Sequence, residues 1–340
     1  MLTKLNLQSN GRPESRLGTP PPAPTRPSST DTTPPTIPRN LANREAATAL
    51  TNAFSPFRRR RDGGGTNQVE LRSYISQLLR PGEPLRCIMP GFPCKSPNPD
   101  SVFGPDADAA EATAVRELER LATALNAAHS DGVEIWIIQD ADLFPRTPVV
   151  RSAAAVDRYS RQVASLTTHP AIKWLRVGDV LAEAATHSSG IALIEQRYLE
   201  DPDDLHDRLS TDPQLLRTYR ALHAFLQNEA PAVPGRSGRA HRRAISAAAL
   251  DQLARSRALS ALMADEFDGY LRLSGRGYGP QERRVGINLI PGNDSAGMPW
   301  WHCLVERRDG SLDLIKRKEG MALGYSIVEG EHGPYFQESR

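Results

Sequence analysis

Two short apolar runs, LRCIMPG at residues 85–91 and VEIWIIQD at 133–140, constrain the fold most. Between them, Val115, Leu118, Leu121, Leu125 and Ala128 recur at helical spacing, and Asp131-Gly132 then turns the chain. A run that is apolar throughout and ends on a carboxylate reads as a strand buried on both faces. Strand, helix and strand in this order form a βαβ unit with parallel strands and a right-handed crossover. The fold class predicted is therefore α/β, a Rossmann-like and mostly parallel sheet with flanking helices. Ligands of such sheets bind outside the carboxyl ends of the strands. The segments GFPCKSPN and DADLFPR, which follow the two strands, are thus expected to face one cleft.

Downstream, VDRYSRQVASL, VGDVLAEAAT, DPQLLRTYRALHAFLQNEA and ISAAALDQLARSRALSALMADEF read as amphipathic helices. RVGINLIP, WWHCLVERRDGSLDLIKRK and GYSIVEGEHGPYF alternate and turn at Asp309-Gly310, which predicts a C-terminal antiparallel meander.

The two ends of the chain differ in composition. Residues 1–65 hold ten of the 28 prolines and end in RRRRDGGG. They are read as a disordered tail, with residues 66–340 as a single α/β domain. The tail carries ten Lys/Arg against four Asp/Glu, which leaves 32 basic and 36 acidic residues in the body. The basic balance of the whole chain thus belongs to its tail, and the body has no excess charge with which to track nucleic acid. Arg58 to Arg61 are read as a solvated stretch. No run of eighteen apolar residues predicts a membrane span, the first thirty residues lack a signal-peptide core, and a cytoplasmic location is expected. Cys87, Cys94 and Cys303 are too few and too irregularly spaced for a disulfide framework or a zinc site.

Chemistry is sought at the strand ends. Lys95 sits among Pro93, Pro97 and Pro99, which restrict the backbone and would present a cation to the cleft with little entropy to lose on binding. The structural alternative is an ordinary solvated lysine. Asp140, closing the second strand, suits a general base or a helix cap. His302, beside Trp300 and Trp301 in an apolar segment, suits a proton shuttle or a satisfied core residue. Arg272, Arg276, Arg283 and Arg284 fall close together among glycines, as in an anion-binding loop or a solvated one.

The succession PGFPCKSPNPDSVFGPDADAAE, IIQDADLFPR, TDPQLLRTYRALHAFL, LRLSGRGYGP, RVGINLIPGNDSAGMPWWHC and DGSLDLIKRKEGMALGYSIVEGEHGPYF resembles the isonitrile (isocyanide) synthases of the pyoverdine/dityrosine biosynthesis family, over about residues 72–336. The resemblance implies an enzyme of secondary metabolism that needs neither metal nor nicotinamide. It would join the amine of an amino acid, commonly tyrosine or tryptophan, to the ketone carbon of ribulose 5-phosphate, and that carbon would become the isonitrile carbon. Residue-by-residue matching implies catalytic roles for Lys95, Asp140 and His302. It implies substrate contacts for Ser96, Asp142, Tyr219, Arg220, Arg272, Ser274, Arg276 and Trp301. An iron- and 2-oxoglutarate-dependent oxygenase is the pathway partner that such products imply, and oligomeric state is left open.

Departures from the family pattern fall in the same segments. DADLF stands where the family usually has D-G-R-V-F, so Asp142 replaces an arginine. RLSGRG stands for R-L-S-I-H-P and puts Arg276 in place of histidine, while Trp300 stands at a proline of T-P-W-H. These changes point to a divergent member with an altered substrate or outcome, and Arg276 is the expected compensation for Asp142. An ordinary tyrosine or tryptophan isonitrile synthase and an inactive ligand-binding member are the alternatives.

Overall fold

The computed structural model describes residues 39–59, 68–145, 147–150, 152–230, 238–275, 284–292 and 297–339. Helices α1 (Arg39–Phe54) and α2 (Gln68–Leu78) precede β1 (Leu85–Pro90), α3 (Ala109–Ala128), β2 (Val133–Gln139), α4 (Ala153–Ser165) and β3 (Ile172–Arg176). Then come α5 (His187–Tyr198), α6 (Pro202–Arg208), α7 (Pro213–Glu229), α8 (Gly238–Glu266), β4 (Leu271–Ser274) and β5 (Arg284–Gly286). The chain closes with β6 (Cys303–Glu306), β7 (Leu312–Ile315), α9 (Arg317–Ala322), β8 (Ser326–Gly330) and β9 (Gly333–Gln337).

The larger sheet has the order β3-β2-β1-β4-β5 with every pair parallel, so the expected βαβ unit is present. Strand order reverses between β1 and β4, which makes the gap beyond their carboxyl ends the place where such sheets bind ligands. Ile135 and Ile137 of β2, fully buried, pack with Leu118, Leu121 and Leu125 of α3 in one core. A capping box starts α3: Asp108 accepts from Ala110 N–H, and the Glu111 carboxylate accepts from Asp108 N–H at 3.0 Å.

Three expectations need correction. RVG of RVGINLIP is β5, a parallel strand of the larger sheet and not part of a meander. The second sheet, β7-β6-β9-β8, keeps its two antiparallel hairpins, but β6 and β9 pair in parallel, so it is mixed. VGDVLAEAAT is a 3-10 turn followed by bends, not a helix. The helix starts only at His187, where Thr186 caps it, and it packs on the 3-10 turn so closely that a Cβ on Gly190 would lie 1.8 Å from Gly178 O.

The tail boundary also moves. Residues 39–59 belong to the folded body: Ala47, Leu50 and Phe54 of α1 are fully buried in the main core. Beyond α1 the chain runs along the sheet edge, with Asn288 N–H donating to Phe57 O at 2.7 Å and Arg59 N–H to Gly286 O at 3.0 Å. Arg58 and Arg59 are therefore anchored and not solvated, while Arg60, Arg61 and residues 1–38 lie outside the described residues. Among the described residues, no helix is long and apolar enough to cross a membrane.

Candidate active site

A cavity of about 250 Å³ opens at the β1/β4 switch point. Its floor is made of strand ends: Pro90 at the end of β1 and Gly91 after it, Asp140 after β2, Arg272 and Ser274 on β4, and Arg284 on β5. Arg272 and Arg284 are register partners on adjacent parallel strands, so two guanidinium side chains emerge side by side on one face. Helix α8 forms one wall with Gln252, Ser256 and Ser260 at four-residue intervals, while Phe225, Trp300 and Trp301 supply aromatic surface opposite polar groups. Apolar walls with a few convergent polar side chains are what a small-molecule site looks like.

The loop after β1 is held in place by packing. Phe92 takes a left-handed backbone, φ 52°, the only non-glycine among the described residues to do so, and its ring lies 5.4 Å from Trp174 and 5.1 Å from Trp300. Such a conformation persists only where the surroundings over-determine it. Its neighbours Gly91, Pro93 and Cys94 line the cavity.

Lys95 does not face the cavity as expected. Its side chain has no exposure, and its Nζ lies 2.9 Å from Asp108 Oδ2 and 2.9 and 2.7 Å from the two Glu111 oxygens. It also donates to Pro299 O at 3.2 Å, and Tyr159 OH donates to Glu111 at 2.9 Å. Burial alone would lower the Lys95 pKa, but the Asp108 and Glu111 carboxylates outweigh it and raise it, so this ammonium stays charged. The Glu111 carboxyl is pushed up to about 8 by burial, against the pull of Lys95 and of the Asp108 N–H, which favour its ionised form. The prolines around Lys95 thus shape a loop over a buried ionic cluster.

Ser96 is part of a second buried junction. Its N–H donates to Trp300 O at 2.9 Å, and its hydroxyl donates to Glu229 Oε2 at 3.3 Å. Glu229, at the end of α7, also accepts from Ser101 at 2.8 Å and from Lys316. His302 follows the 3-10 turn Pro299–Trp301 and not a strand interior, and Met298 N–H donates to its Nδ1 at 3.1 Å. Burial lowers its pKa, which keeps the ring neutral near pH 7.

Asp142 points to other partners than expected. Arg176 donates to Asp142 Oδ2 through two nitrogens at 3.1 and 2.7 Å, and His187 Nε2 lies 3.1 Å away. The counter-charge for this aspartate therefore comes from Arg176 on β3, with His187 of α5 a hydrogen-bond partner; Arg276 lies outside the described residues. Tyr219 is half-buried against the Leu205–Leu253 cluster, and Arg220 is exposed on α7.

Of the residues singled out from sequence, Asp140, Arg272, Ser274 and Trp301 come together around the cavity. Lys95, Ser96, Asp142, Tyr219, Arg220 and His302 are not among its lining residues. Arg284, named with Arg272 as part of a candidate anion-binding loop, also lines the cavity, whereas Gln252 and Thr147 were missed, since the helix face and the turn that bring them in are tertiary facts. Glu111 was also missed, although the D-x-x-E capping box of 108–111 signals a buried helix start.

Comparison with known proteins gives a consistent picture. The model of the pyoverdine/dityrosine biosynthesis protein family matches residues 75–328. The chain is 28% identical over 271 residues to an L-tyrosine isonitrile synthase of Pseudomonas aeruginosa, spanning 77% of this chain and 81% of that one. It is 24% identical over 258 residues to an L-tryptophan isonitrile synthase of Fischerella ambigua, spanning 75% and 80%. The crystal structure of the PvcA protein from Pseudomonas aeruginosa superposes with a TM-score of 0.75 at 25% identity, covering 86% of this chain and 100% of that one.

Proposed function

Because this chain belongs to the pyoverdine/dityrosine biosynthesis protein family, we propose that it is a divergent isonitrile-synthase-like enzyme that joins an amino acid or related amine to a phosphorylated sugar, ribulose 5-phosphate first among them. The observation that carries this reading is the Arg272–Arg284 pair, side by side on β4 and β5 in the same cavity as Asp140. Two guanidinium forks suit a phosphate or carboxylate, and a carboxylate suits an ammonium or a proton in transit. Condensation forms a C–N bond between the amine and the ketone carbon and expels the carbonyl oxygen as water. Both amine protons must reach that oxygen, one to form the carbinolamine hydroxyl and one to release it as water, and Asp140 is the cavity residue assigned to relay them.

Lys95 and His302, both outside the lining, act in this reading by position. Lys95 and Ser96 bond to the carbonyls of Pro299 and Trp300 and so fix the aromatic wall. The isonitrile product would pass to an oxidising enzyme such as an iron- and 2-oxoglutarate-dependent oxygenase.

Arg284→Met tests the anion assignment. It is expected to raise KM for ribulose 5-phosphate by about 10- to 100-fold, the loss of one charge-assisted contact, with melting temperature little changed. An unchanged KM with a full-length, folded variant would remove Arg284 from the site.

A further inference from the structure

Two of the residues lining the cavity carry a buried side-chain oxygen with no hydrogen-bond partner within the described protein: Gln252 (Oε1) on α8 and Thr147 (Oγ1) in the segment after β2. Thr147 is 3% exposed, and its backbone is already satisfied, with its N–H on Phe144 O at 3.1 Å and its carbonyl accepting from Val150 at 2.9 Å. The hydroxyl is left over. Helix α8 is held against the same segment, since Arg255 Nη1 donates to Leu143 O at 3.0 Å, so Gln252 stands on a fixed scaffold. Along that helix face Ser260 is engaged, donating to Ser256 O at 2.9 Å, whereas the Gln252 amide oxygen is shielded from solvent with nothing to accept. Buried polar groups are normally bonded, and a pair of exceptions lining one cavity points to a ligand that completes them.

We propose that Gln252, together with Thr147, determines amine specificity by bonding a hydroxyl or ring N–H on the substrate's side chain. This rests on the proposed function and refines it: the amine carries a polar group at the α8 wall, with Leu222, Phe225 and Trp300 packing its apolar part. A cavity built to bond such a group rejects the analogue lacking it, because its own polar atoms then stay unmet.

The experiment uses the full chain with ribulose 5-phosphate and two matched pairs, L-tyrosine with L-phenylalanine and L-tryptophan with L-1-naphthylalanine. Turnover and amine binding by calorimetry are measured for wild type, Gln252→Leu and Thr147→Val. The wild type is expected to favour the polar member of at least one pair by about tenfold or more in kcat/KM, and Gln252→Leu to bring that ratio within about threefold by weakening the polar member. The melting temperature of Gln252→Leu is expected to hold or rise, because no protein partner is lost. An unmoved ratio, equal losses on all four amines, or a rise in KM confined to ribulose 5-phosphate would overturn the inference and leave the family reading standing. If the wild type neither binds nor converts any of the four, both fall.

Discussion

Lys95→Met is expected to destabilise the protein by about 3–5 kcal/mol, because it leaves the carboxyls of Asp108 and Glu111 buried without their cation. Lys95 has no exposure, Glu111 has none and Asp108 has 4%, so water cannot solvate what remains. Coulomb attraction within such a cluster roughly offsets the desolvation of its members, whereas removing one member leaves only the desolvation. The effect is far larger than for a cleft-facing lysine on a proline-rich loop, which is how the sequence reads. Glu111→Gln in the Lys95→Met background is expected to recover part of the loss, since groups sharing one charge network are non-additive. Denaturant melts of the four proteins in that cycle provide the measurement. A Lys95→Met protein as stable as wild type would show that the cluster does not hold the loop.

Phe54→Ala is expected to cost about 3–5 kcal/mol, the usual penalty for emptying a fully buried aromatic site. Removing residues 1–57 altogether is expected to prevent stable folding, since Ala47, Leu50 and Phe54 of α1 fill the main core and Phe57 O accepts a bond beside β5. Thermal melts of full-length Phe54→Ala, with soluble yield of the truncated chain, check this. A truncated protein melting with the wild type would return α1 to the tail.

Why the sequence misled at α1 is clear from its residues. RNLANREAATALTNAF lies between a proline-rich stretch and RRRRDGGG, so composition averaged over 1–65 hid its apolar positions. The βαβ unit was legible because Ile135, Ile137 and Ile138 are buried on both faces and α3 has a continuous apolar stripe. Ends of strands were legible for the same reason, and Asp140 and Arg272, expected there, do line the cavity. Side-chain direction was not: nothing in PCKSPN says that Lys95 turns inward to Glu111, and nothing in DADLF says that Asp142 turns to Arg176 and His187. Arg284, named with Arg272 from the sequence, is set beside it by strand register, and Gln252 became a site residue only through the face that α8 turns to the cavity.

The proposed chemistry is tested most directly by supplying the purified full-length protein with ribulose 5-phosphate carrying ¹³C at its ketone carbon and a panel of amino acids, and following products by mass spectrometry. The expected result is an isonitrile bearing the label, formed by the wild type and lost in Asp140→Asn and in the double variant Arg272→Met/Arg284→Met. Binding of both ligands with no labelled isonitrile from any amine would contradict it and leave a ligand-binding protein on an enzyme's fold.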